Sequence, residues 1–141
     1  MKPRDKVLKA RLREAPGDVE ATVDLLDLLL EREKWSEAER WVEHAERHGV
    51  PSDALLIARA RLAMARGDLS TAAATITTAV ERVGDVPALL RVRATVSSLM
   101  HRFDAALADH RRLLEIDPND DDAMLGAIGA LLTLERFAEA E

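Results

Sequence analysis

One short pattern returns at a fixed interval and limits what this chain can fold into. A large apolar residue is followed three positions later by alanine at Trp35 and Ala38, Leu69 and Ala72, Phe103 and Ala106, and Phe137 and Ala140. Each occurrence lies 34 residues after the last, without slippage. A period of this size marks a stack of small units, none of which can bury its apolar residues alone. Composition decides what the units are made of. Apolar residues make up 48% of the 141-residue chain and aromatics only 3%. The core must therefore be aliphatic and alanine-rich, which suits close helix packing, and no Asn-Gly hairpin signal is present. The expectation is an all-α fold.

The units can be placed in order. A half-repeat helix within 4–16, carrying Val7, Leu8 and Leu12, ends at Ala15-Pro16-Gly17. Repeat 1 spans 19–51. Asp18 caps its first helix, and Ser36 with Glu39 reads as a capping box on its second. Repeat 2 spans 53–85, with Ser52 and Ser70 opening its helices and Gly67-Asp68 turning the chain. Repeat 3 spans 87–118, with Pro87 in the first turn and Asp104 starting its second helix. An incomplete repeat 4 covers 121–141: a helix to about Leu134, a turn, and the first residues of a partner helix. Gly126 and Gly129 lie inside that helix, each costing about 0.5–1 kcal/mol against alanine.

The 34-residue period, the turn at Gly67-Asp68-Leu69, the alanine three positions on, and the closing Leu114-Glu115-Ile116-Asp117-Pro118-Asn119-Asp120 resemble the tetratricopeptide repeat (TPR) family. Small residues at Ala60 and Ala94 fit the point where the two helices of such a unit meet. The resemblance implies a right-handed α-solenoid of antiparallel helix pairs, about three and a half units after a half-repeat helix. Leu26 departs from the pattern where a small residue is usual. So do Arg59 and Arg93 where an apolar one is usual.

The same resemblance implies a non-catalytic protein–protein interaction scaffold. It places a partner peptide or helix in a concave groove built from first helices. The groove residues would be Val23, Asp27, Leu30, Ile57, Arg61, Met64, Arg91, Thr95 and Leu125. Arg61 and Arg91 suit an acidic residue of the partner, and Met64 suits its apolar flank. Equally, both arginines can pair with carboxylates of this chain and merely solvate the face. The carboxylate clamp of one family subtype, which grips chaperone tails, is missing: its positions hold Val23, Asp27, Ala58, Ala88 and Val92. Ile128, Leu131, Leu132 and Phe137 lack a partner helix, so either the chain is a fragment of a longer protein or another subunit covers them. Two alternatives follow: a regulatory or docking domain of a larger enzyme or transcription regulator, and a homo-oligomer joined through that C-terminal face.

Other functions find little support. The net charge of −6 opposes a nucleic-acid surface, and without cysteine there is no disulfide framework or thiolate metal site. No apolar run approaches the ~20 residues of a membrane span. The N-terminus lacks a signal-peptide core, and the default compartment is the cytoplasm. Asp117-Pro118-Asn119-Asp120-Asp121 opens like a calcium loop, but Asp122 stands where glycine is needed and Ile128 where glutamate is needed. His44 and His48 lie one turn apart without a third ligand of suitable spacing, and His110 reads as a packed core histidine. No phosphate loop or nucleophile turn occurs. No enzyme activity, cofactor or metal is expected.

Overall fold

Alanines at the repeated position set how the helices meet. In a computed structural model that describes residues 3–140, Ala38, Ala72 and Ala106 are each 0% exposed. Met1, Lys2 and Glu141 of the predicted span lie outside the described residues, as does the side chain of Ala140. A methyl group at these points lets two helix backbones close up where a longer side chain would hold them apart.

Eight α-helices follow in chain order: α1 Arg4–Glu14, α2 Val19–Glu31, α3 Trp35–Arg47, α4 Leu56–Ala65, α5 Leu69–Val83, α6 Pro87–Leu99, α7 Phe103–Ile116 and α8 Asp121–Ala140. Among the described residues there is no strand. The all-α helical-repeat fold expected from the period is the fold observed.

The chain divides into two compact units, Met1–Asp68 and Leu69–Glu141. Each contains four of these helices, and each packs its helices in chain order. In the first unit α2 also packs on α4. Helices α6 and α7 begin 68 residues after α2 and α3 (87 against 19, 103 against 35), which is two repeat periods. The first unit's core joins Leu8 and Leu12 of α1 to Leu25, Leu26, Leu29 and Leu30 of α2, with Val42 and Leu55. Leu26, at a position where a small residue is usual, is 2% exposed and simply adds to this core. The second unit packs Leu90, Leu113 and Ala123 together, and Leu107 with Ala127 and Ala130.

The turns explain both the regularity and its one failure. Glu33, Gly67 and His101, again 34 residues apart, adopt positive φ of 57°, 78° and 59°. For glutamate and histidine this left-handed backbone costs about 1–2 kcal/mol, which the packing of the following helix offsets. The fourth equivalent is Glu135, and there the expected turn does not form: α8 runs on as one helix to Ala140. Leu134, Glu135 and Arg136 all favour the helix, and nothing among them breaks it.

Several caps also differ from expectation. Each second helix starts at the large apolar residue itself, at Trp35, Leu69 and Phe103, rather than at Ser36, Ser70 or Asp104. Lys34 holds the cap position of α3 without a side-chain hydrogen bond, so the Ser36–Glu39 capping box is absent. With Lys34 in the cap position, the turn ends two positions earlier than a Ser36 cap would place it. Ser52 opens a 3-10 turn, Ser52–Leu55, ahead of α4. Asp18 caps α2 as expected, accepting from the Ala21 N–H at 3.0 Å. Asp120 does the same for α8 through the Ala123 N–H at 3.0 Å.

Candidate partner-binding site

In the first unit the contact of α2 with α4 brings two sets of side chains to one surface. On α2, Glu20, Asp24, Asp27 and Glu31 fall at spacings of four, three and four residues, which places them on one helical face. Val23 stands beside them, half-buried. On α4, Ile57, Arg61 and Met64 share a face at the same kind of spacing, and all three are half-buried. A small cavity of about 160 Å³ opens by the acidic row, lined by Arg4, Asp24, Asp27, Leu28 and Glu31.

Partial burial raises the Asp27 carboxyl above its ordinary range. The Arg61 guanidinium opposes that rise, and the carboxylates of Asp24 and Glu31 reinforce it. Asp27 is therefore flanked by acids on its own helix and faced by one cation from α4. A cation arriving from outside would be drawn to this face, because it relieves like-charge crowding.

The other residues singled out from sequence land in different surroundings. Leu30 is 2% exposed inside the core and offers nothing to a ligand. Its place on the face was misread because α2 is apolar on two sides, one against α1 and α3 and one against α4. Arg91 is held by Asp120 at 2.7 Å, so its guanidinium is already engaged within the second unit. That hydrogen bond lowers the Asp120 carboxyl and raises Arg91. The Thr95 hydroxyl donates to the Arg91 carbonyl at 3.0 Å. Leu125 is 68% exposed on α8, and Ile128, Leu131, Leu132 and Phe137 are exposed along the same helix. The Phe137 ring lies 5.9 Å from that of Phe103.

The arginines at usually apolar positions are also accounted for. Arg59 pairs with Glu46. Arg93 makes a fork with Asp109, Nε to Oδ2 at 2.9 Å and Nη2 to Oδ1 at 2.6 Å. Sequence reasoning missed this pair, and its signal was faint: Asp109 is separated from Arg93 by a turn, and only the folded hairpin joins them. It also missed Arg4 as a neighbour of Asp27, although the spacing of the α2 acids was legible.

The histidines pack against neighbouring rings and side chains. The His44 and His48 rings stack 4.2 Å apart, and His48 Nδ1 donates to the His44 carbonyl at 2.7 Å. Burial, with help from the charges of His48 and Arg47, lowers the His44 pKa. Among the described residues, no group of three or more His, Cys, Asp or Glu side chains is placed to hold a metal ion.

Comparison with solved structures bears on the fold. The crystal structure of TTC0263, a thermophilic TPR protein of Thermus thermophilus, superposes with a TM-score of 0.75. The match covers 91% of this chain and 71% of that chain, at 24% sequence identity. The chain has the TPR fold. No protein-family model matches the sequence, and no curated protein matches it. The low identity is consistent with what the TPR period constrains: a few small and bulky positions per unit, while the exposed faces vary freely. No helix among the described residues is long and apolar enough to cross a membrane.

Proposed function

We propose that this protein is a non-catalytic scaffold that holds a partner segment, peptide or helix, against the α2–α4 face of its first unit. The TPR fold supports a role in protein interaction, since such units present helix faces rather than reactive clefts. The observation that carries the reading to this face is the crowding of Asp24, Asp27 and Glu31 beside half-buried Val23, Ile57 and Met64. Arg61 alone answers those acids from α4, and Arg91 is engaged by Asp120. The partner therefore presents a basic side chain with apolar neighbours, rather than the acidic residue that the arginines suggested in the sequence.

Affinity capture on immobilised protein tests this. Recovery by the wild type is compared with an Asp27→Lys/Met64→Glu variant and with Arg111→Glu, an exposed change on α7. Partners are expected to be lost only from the first variant. Equal recovery by all three removes the reading.

A second reading is favoured by the exposed apolar row on α8, where Leu125, Ile128, Leu132 and Phe137 are 68%, 48%, 52% and 53% exposed. Self-association through this face buries it, and apolar rows of this kind often mark interfaces. Sedimentation velocity distinguishes the readings: an oligomer that Ile128→Glu/Leu132→Glu converts to monomer supports self-assembly, and a monomeric wild type ends it.

A further inference from the structure

The two units carry matching elements offset by 68 residues, so each shows what the other has changed. In the first unit, Trp41 of α3 lies against the core cluster that contains Leu8 and Leu25. Above it, Lys9 of α1 pairs with Glu37 of α3, and Asp5 of α1 pairs with Arg32 at 3.9 Å. The equivalent places in the second unit are altered together. Thr77 and Ala105 replace the Lys9–Glu37 pair, and Ala73 and Met100 replace Asp5–Arg32. Asp109 takes the position of Trp41, and Arg93 that of Leu25.

The result is a cleft of about 310 Å³ among α5, α6 and α7. Its apolar lining comes from Ile76, Val96 and Met100, and Ser97 supplies a hydroxyl. Asp109 is committed to Arg93 by the two-bond fork and forms one wall. Arg102 also lines the cleft, is exposed, and has no carboxylate partner among the described residues. So in one unit an indole packs on the core at this place and borders a cavity of about 340 Å³, while its counterpart has an acid there, an apolar lining and one unanswered cation.

We propose that this cleft is a second partner site, which receives a bulky apolar side chain, aromatic by preference, with an adjacent carboxylate that pairs with Arg102. The occupant's chemistry follows from two features: the ring that occupies the matching place in the first unit, and the charge left over at this one. An acidic-aromatic segment of a protein partner fits both, whereas the α2–α4 face of the first unit favours a basic segment. The site is independent of that face and stands or falls separately.

The experiment is a titration of ¹⁵N-labelled protein with N-acetyltryptophan, which carries the indole and a carboxylate, and with N-acetyltryptophanamide, which lacks the charge. N-acetylalanine controls for the carboxylate alone. The expected result is movement of the Ala73, Ser97 and Ala105 amide signals with N-acetyltryptophan in the millimolar range. The uncharged analogue binds about threefold more weakly, the size of one exposed ion pair. Thr77→Lys/Ala105→Glu restores the ion pair of the first unit across the mouth at two exposed positions and abolishes both titrations. Far-UV circular dichroism checks that this variant is folded. Unmoved amides in the wild type, equal binding of the charged and uncharged analogues, or titrations unchanged in a folded Thr77→Lys/Ala105→Glu variant would each overturn the proposal.

Discussion

Two glycines three residues apart in α8 should respond oppositely to the same substitution. At Gly129 a Cβ meets nothing within 4 Å, so alanine there gains helix propensity without steric cost. The expected gain is about 0.5–1 kcal/mol. At Gly126 a Cβ would stand 2.5 Å from Nε2 and 2.7 Å from Nδ1 of His110, and closer still to Cε1. The half-buried imidazole must move, and overpacking of this kind costs about 1–3 kcal/mol. Set against the same propensity gain, Gly126→Ala is expected to lose up to about 2 kcal/mol. Urea denaturation followed by far-UV circular dichroism, with the slope unchanged between variants, measures both. In a His110→Ala background the clash is gone and Gly126→Ala should become stabilising. If Gly126→Ala and Gly129→Ala stabilise the wild type equally, α7 does not pack its histidine on Gly126 and the second unit is described wrongly.

Arg93→Leu strands the Asp109 carboxylate, which is 6% exposed; with Arg93 itself 31% exposed, the loss should be about 2–3 kcal/mol, below the range for a fully buried pair. Arg93→Leu/Asp109→Trp, which rebuilds the first unit's packing, should recover most of that loss in the same urea assay; a double variant no better than the single one would refute the register. Asp18 is held below the ordinary 3.8 chiefly by the Ala21 N–H, and Asp120 chiefly by Arg91. A carboxyl lowered on folding stabilises above its unfolded pKa and loses that contribution as pH falls through the folded value. Thermal melts should therefore show stability falling below about pH 4, with a shallower fall in Asp18→Ala and Asp120→Ala; parallel pH profiles would contradict it.

Much of the architecture was legible because it repeats. Ala38, Ala72 and Ala106 announced close helix contacts, and Asp18 announced a cap, since both depend on local spacing. The limits of legibility were physical too. The residue type alone does not decide whether a turn forms: Glu33 bends the chain and Glu135 does not. Which apolar residues of α2 stand beside its acidic row could not be told from sequence: Val23 does so half-buried, while Leu30 is in the core. Partners across helices, such as Arg93 with Asp109 and Arg91 with Asp120, emerge only when hairpins close.

The most direct test of the repeat itself is residue-resolved amide hydrogen exchange. Protected runs are expected within each helix, interrupted at the turns 32–34, 66–68 and 100–102 and at the loops 15–18, 48–51, 84–86 and 117–120, with no interruption at 134–136 where α8 continues. Fast exchange at 134–136, or breaks whose spacing ignores the 34-residue period, would contradict it.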